Sequence, residues 1–301
     1  MENVTTIILL GFPDLHGFRI VFFLFLFMSY LTTICANLMV ITLVAFSRHL
    51  QSPMYFFLTQ LTTSDIMTTS DIVPNMLHMV LHNGSSMSFS GCLTQFCFFG
   101  SSESSECLLL TSMSYDRFLA ICHPLHYHSL MNPLLCLKYI LISWLIGFTI
   151  TFTQTVNMSQ LDFCQSNIID HFFCDFDPVL KLSCSSVRHI QLLSIVMCFP
   201  LIVFPFFITV ISYVYIVLSI LRIQSITGRQ KAFFTCGSHL AVVSIFYGTL
   251  FSIYLIPEKG NSIVLRKVLS IVYTVVTPLL NPVIYCLRNK DIKKAFKKLK
   301  S

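Results

Sequence analysis

The chain has 301 residues, 55% hydrophobic and 11% charged, with a mean hydropathy of +0.77 and a formal net charge of +6. A soluble domain carries about 25% charged residues, so these figures exclude a water-soluble globular protein and point to a polytopic membrane protein. Twenty-nine Phe against one Trp fit a lipid-facing surface rich in Phe.

The first nineteen residues hold Glu2 and Asp14 and lack the basic start and short apolar core of a cleavable signal. Asn3-Val4-Thr5 is a glycosylation sequon, meaningful only outside the cytosol. A helix crossing the hydrocarbon core needs about 20 apolar residues. Seven segments qualify, approximately 20–46, 55–80, 92–122, 138–156, 190–221, 232–256 and 264–287. The longest connection, about 157–189, joins the fourth and fifth. With the N-terminus outside, 13 Lys and Arg fall on the cytoplasmic side and 6 outside, as the positive-inside rule requires. The sequons at Asn83 and Asn157 then also fall at outer ends.

Polar residues inside the spans are the informative ones, because an ionisable group at membrane depth must face protein or water. The first span carries Asn37, suited to an interhelical hydrogen bond. The second opens with P-M-Y-F-F-L from Pro53 and carries Asp65 and Asp71. The third reads G-S-S-E-S-S-E from Gly100, so Glu103 and Glu106 share one helical face. It ends in M-S-Y-D-R-F-L-A-I-C-H-P-L-H-Y, Met113 to Tyr127, with an adjacent acid and base at Asp116 and Arg117. Taken alone, that pair reads equally as an interfacial anchor. Cys92 opens the third span, and Cys164, Cys174 and Cys184 lie in the long loop, where four oxidised cysteines allow three pairings. The sixth span opens K-A-F-F-T-C-G-S-H-L from Lys231 and reaches Phe246-Tyr247-Gly248; the seventh ends P-L-L-N-P-V-I-Y from Pro278. Ile292, Ala295, Phe296 and Leu299 recur among five Lys, the pattern of an amphipathic helix on the inner leaflet. Cys286 stands where palmitoylation would occur, though one juxtamembrane Cys is a weak signal.

No helix-borne metal pair, nucleophile motif or phosphate loop appears, and Pro124 interrupts the cluster His123, His126 and His128, so the chain does not read as an enzyme. A transporter would show internal repeats, and none is seen. A retinal photoreceptor would need a Lys within the seventh span, whereas Lys267 sits at its outer end.

The stretches from P-M-Y-F-F-L to P-L-L-N-P-V-I-Y, with His171-Phe172-Phe173-Cys174-Asp175, resemble the olfactory receptors of class II (tetrapod type), a branch of the rhodopsin-like G-protein-coupled receptors. The resemblance implies an all-α fold: a seven-helix membrane bundle with a short amphipathic C-terminal helix. Residues 1–301 then form one receptor domain: an extracellular N-terminus (1–19), the bundle (20–287), and a cytoplasmic helix and tail (288–301). It implies disulfides Cys92–Cys174 and Cys164–Cys184, and plasma-membrane placement with the C-terminus in the cytosol. It further implies a small volatile ligand among Phe99, Gly100, Glu103, Ser104, Cys107, Met197, Leu201, Tyr247, Phe251, Tyr254 and Thr274. The signalling switch would be Asp116, Arg117, Tyr213, Asn281, Pro282 and Tyr285, acting on an olfactory stimulatory G protein that raises cyclic AMP. Asn37, Asp65, Glu106 and Asn281 would form a polar cluster, read first as a hydrogen-bonded network with one acid protonated; the alternative is the sodium site that this cluster forms in many rhodopsin-like receptors. No other cofactor or metal is expected, and partners are G protein, odorant and lipid, not nucleic acid.

The sequence departs from the family pattern at several points. Ala36 replaces Gly, Ser114 replaces Ala, Phe118 replaces Tyr, Phe234 replaces Ser, and Glu103 stands where a small or hydroxyl residue is usual. Glu103 could pair with an amine or act as a neutral donor, the latter slightly favoured. A receptor for a small amine or metabolite outside olfaction, or less readily a transporter, is the alternative reading.

Overall fold

The computed structural model describes residues 5–164, 166–255, 262–288 and 290–299. Asn3 and the side chains of Tyr254 and Phe234 lie outside the described set. Long helices dominate: α1 (Arg19–Phe46), α2 (Pro53–His82), α3 (Phe89–Cys122), α4 (Pro133–Ser159), α5 (Arg188–Leu221) and α6 (Ile226–Leu255). A seventh, α7, is built of Ser262–Ile271, a π-helical turn Val272–Val276, and Thr277–Arg288. Lys290–Leu299 follows as α8. Short helical turns at Tyr127–Leu130 and Phe176–Leu180 sit in loops.

Several helices begin a few residues before the apolar runs, and at α3 and α4 a capping side chain fixes the start. Pro53 and Pro133 occupy first helical positions, where a missing N–H costs nothing. The Ser88 hydroxyl accepts from Gly91 N at 3.0 Å, and Asn132 Oδ1 accepts from Leu135 N at 2.8 Å.

Five helical stretches, in α1, α4, α5, α6 and α7, are long and apolar enough to cross a bilayer by length and composition. Their outward faces expose large apolar side chains, among them Phe25, Leu145, Phe199, Phe204 and Ile211. Only 17% of the most apolar window of α5 is buried, so its remaining surface calls for lipid. Helices α2 and α3 are as long but more polar, and their polar residues point inward: Ser64, Asp65, Thr68, Ser101, Ser102, Ser105 and Glu106 are buried. Helix α3 is central, packing against α2, α4 and α5. A Cβ at Gly147 of α4 would meet Ser105 Oγ at 2.4 Å, so that helix pair can approach closely only with glycine there.

Two proline-freed carbonyls find donors across the bundle. Pro282 has no N–H to offer Pro278 O, and Asn37 Nδ2 supplies the bond at 3.2 Å. Pro205 likewise frees Leu201 O, which accepts from Cys107 Sγ at 3.4 Å.

The outer end departs from the all-α expectation. Strand β1 (Thr6–Leu9) pairs antiparallel with β2 (Ser85–Ser88) and parallel with β3 (Ile168–Ile169), in the order β2-β1-β3. Ile7 and Leu9 are fully buried, so the N-terminal segment is part of the packed outer layer rather than a loose tail. Lys267 fastens it: Nζ donates to Gly11 O at 2.7 Å and Asp170 Oδ1 at 2.5 Å, 5.8 Å from the centre of the Phe12 ring. A residue set aside as an outer-end lysine is therefore a buried tie between α7, the N-terminal segment and the long loop.

Replacing Asn37 by Leu leaves the Pro278 carbonyl without its cross-helix donor, a loss on the order of 1–3 kcal/mol. Thermal unfolding of purified protein should show a lower midpoint; an unchanged midpoint would mean that the carbonyl finds another donor.

Candidate functional site

A cavity of about 420 Å³ lies under the long loop, between α3, α4, α5, α6 and α7. Its roof is held by Cys92–Cys174, with Cα atoms 5.5 Å apart, while Cys164–Cys184 closes the loop on itself. Cys174 N donates to Gln95 Oε1 at 2.9 Å, and Gln95 Nε2 reaches the Asp71 carbonyl at 2.9 Å, so one side chain joins loop, α3 and α2. Phe172 and Phe173 of the loop are buried, and Phe173 packs edge-on to Phe99 at 4.9 Å.

Six of the residues expected to meet a ligand line this cavity: Phe99, Gly100, Glu103, Ser104, Cys107 and Leu201. Others do not. Tyr247 is buried alongside, its hydroxyl 3.3 Å from Cys107 Sγ. Phe251 stacks on Tyr247 and meets Phe206 edge-on, away from the lining. Thr274 turns its hydroxyl to Ser270 O within α7, and Met197 is half-buried outside the lining. The corresponding lining positions are taken by Phe246, Leu250, Ile253, Cys198, Ser270 and Tyr273.

Glu103 is the carboxylate deepest among the helices in this lining. Thr68 Oγ1 donates to its Oε1 at 3.4 Å, Tyr273 lies beside it, and its buried Oε2 has no hydrogen-bond partner. One turn further in, Asn281 Nδ2 donates to Asp65 Oδ1 at 2.9 Å and lies 3.5 Å from Glu106 Oε1. Asp65 Oδ2, Asn281 Oδ1 and Asn37 Oδ1 are buried oxygens without partners. A hard cation takes oxygen ligands, so this donor set fits a sodium ion.

At the inner end, Arg117 Nε donates to Asp116 Oδ2 at 2.9 Å, and Arg117 Nη2 bonds the same oxygen. Tyr127 OH donates to Asp116 Oδ1 at 2.7 Å, so the fully buried Asp116 is held from both sides. Tyr213 and Tyr285, read from sequence as inner-end partners of this pair, make no hydrogen bond to it. Tyr213 faces α6, sharing a 2.5 Å bond with His239 Nδ1; Tyr285 is fully buried with its hydroxyl unpaired among the described residues. Tyr213, Ile216, Ile220 and Cys236 pack against Phe118, Ile121 and Cys122, bringing the inner ends of α3, α5 and α6 together.

A family model for olfactory receptors matches residues 25–301. The chain belongs to the olfactory receptor family. It is 46% identical over 300 residues to human olfactory receptor 6B3, covering 99% of this chain and 91% of that protein. It is also 46% identical to human olfactory receptor 6B2, over 99% of this chain and 96% of the relative, and 45% identical to rat olfactory receptor 1468, over 98% and 95%. The protein is thus an odorant receptor, a multi-pass member of a signalling class rather than an enzyme.

The Cys92–Cys174 bond was expected to make the loop a lid over the pocket; what sequence reading missed is which residues of the loop and of α7 line it. Phe173, Asp175, Phe176 and Asp177 line it, with Arg266 of α7 3.9 Å from Asp177. The H-F-F-C-D stretch was visible, but only the disulfide folds it inward over the helices. Of the sequons, Asn83 caps α2 in a left-handed turn at φ 59°, its side-chain oxygen bonded by Arg19. Asn157 lies in the last turn of α4, its Nδ2 donated to Thr153 O at 2.7 Å.

Two groups in the loop have displaced acidities. Burial, then Lys267 and Arg266, push His171 down to about 3; burial lifts Asp175 to about 6. For His171 the folded value lies below its ordinary 6.5, so its stabilising contribution is complete above that pH and declines as pH falls towards 3. Asp175 works oppositely, its contribution declining as pH rises from 3.8 through about 6. Acidifying from about pH 7 to about pH 5 should therefore lower the thermal midpoint less in His171→Gln than in the parent. Identical pH slopes would show that His171 is not held neutral.

Proposed function

We propose that this olfactory receptor is a seven-span, class II receptor of the plasma membrane, one domain over residues 1–301, with its N-terminus outside and C-terminus in the cytosol. It binds a small volatile organic molecule in the cavity under the long loop and activates the olfactory stimulatory G protein, raising cyclic AMP. The observation that carries this reading is the continuity of α3. One helix lines the cavity at Phe99, Gly100, Glu103, Ser104 and Cys107 and ends at the Asp116–Arg117 pair. The excess of Lys and Arg at the Arg117 end, and disulfides at the other, support the orientation. Lipid would meet the apolar exterior and the basic α8, whose Ile292 and Ala295 are buried and which packs against α1 and α7. Glycans, if attached, would sit at Asn3, Asn83 or Asn157.

Ligand acts by population shift, binding the active arrangement better than the resting one. The packed inner ends of α3, α5 and α6 must part to admit the G protein. That separates Tyr213 from the Phe118 side and frees Arg117 from Asp116, whose other oxygen Tyr127 holds. Asn281, Pro282 and Tyr285 lie on the part of α7 that the Asn37–Pro278 and Asn281–Asp65 bonds hold. Asp65, Glu106 and Asn281, with Asn37 beside them, would hold a sodium ion that supplies positive charge to the resting bundle.

Arg117→Ala should reach the cell surface and lose its cyclic AMP response to any odorant that activates the parent. Normal signalling from that variant would reject Arg117 as part of the switch.

A further inference from the structure

We infer that the ligand is an organic cation, a small primary amine whose ammonium sits against Glu103. The inference rests on the odorant-receptor reading and names the chemical class for that cavity. Three observations lead to it. First, Glu103 lines the cavity with one buried carboxylate oxygen unpartnered, while the hydroxyls of Tyr273 and Thr68, the latter at 3.4 Å, serve the rest of the carboxylate. A buried acceptor without a donor is costly, on the order of 1–3 kcal/mol, and an ammonium brings three donors.

Second, Glu103 has no cationic partner in the described lining. Glu103 lies within electrostatic reach of Asp65 and Glu106. Among the described lining residues the one cationic side chain is Arg266, which is paired with Asp177. No described lining cation pairs with Glu103 itself, so a cationic ligand gains an attraction there that a neutral one lacks.

Third, the surrounding wall suits the body of an amine. Phe99, Phe246, Tyr273, Ile202 and Leu250 offer aromatic and aliphatic surface beside the single acid. Aromatic faces attract a nearby cation as well as an alkyl chain. The volume of about 420 Å³ is that of a small-molecule pocket.

The test is a cyclic AMP assay in cells with surface staining, comparing primary amines with alcohols of equal length and shape. In the parent receptor amines should be about ten-fold or more the more potent, the worth of one charge-assisted hydrogen bond. Glu103→Gln should collapse the amine-to-alcohol potency ratio towards one, and Glu103→Asp should retain the preference. The parent comparison needs no variant, so it decides the matter even if Glu103→Gln does not reach the surface. Alcohols or carbonyl compounds equal to or better than amines in the parent would overturn the inference and leave the odorant-receptor reading standing. So would an amine preference that survives Glu103→Gln. Silence to every odorant, charged or neutral, from receptor at the surface would overturn both.

Discussion

Hydrocarbon offers no hydrogen bonds, so each polar group within the spans must be answered by another part of the chain. The bond from Asn37 to the Pro278 carbonyl shows the constraint most plainly. Proline at 282 bends α7 and orphans a carbonyl; an amide on α1 replaces the missing N–H. Cys107 does the same for the carbonyl freed by Pro205, and its sulfur also meets Tyr247. Asn281, beside the kink, turns to Asp65 instead of its own backbone. These bonds tie α1 and α2 to α7 and α3 to α5 and α6, and Asn281 beside Glu106 joins the two sets along a polar seam, while lipid-facing positions remain apolar.

That seam also carries the residues proposed to act in ligand binding and signalling. The unpaired oxygens of Glu103, Asp65 and Asn281 lie along it, running from the cavity wall inward. Beyond them the inner ends of α3, α5 and α6 are shut around Tyr213 and Phe118. A ligand that alters the charge balance at Glu103 therefore acts on the same network that holds α7. The outer layer gives this arrangement a fixed roof. Lys267 ties strand, loop and helix, and the Cys92–Cys174 bond keeps Phe173 over the cavity.

The long helices were legible because a run of about 20 apolar residues has few other uses. Their ends were less so, since Ser88 and Asn132 start helices by local bonds that hydropathy does not register. The sheet was illegible: Thr6–Leu9 pairs with segments far along the chain, and four residues of alternating burial are too short a signal. Glu103 and Asp116–Arg117 stood out as charges in apolar surroundings. Asp175, Asp177 and Arg266 did not, because their place in the lining depends on how the long loop folds back. His239 was visible in K-A-F-F-T-C-G-S-H-L, yet only packing of α5 on α6 reveals it as the partner of Tyr213.

The central claim is that occupancy of the outer cavity opens the inner end. The most direct measurement is the distance between spin labels at two exposed positions, Leu125 just beyond α3 and Gln230 in α6, with and without an odorant that raises cyclic AMP. The account predicts that the population shifts to longer separations when the odorant binds. A distance distribution unchanged by a bound, activating odorant would contradict it.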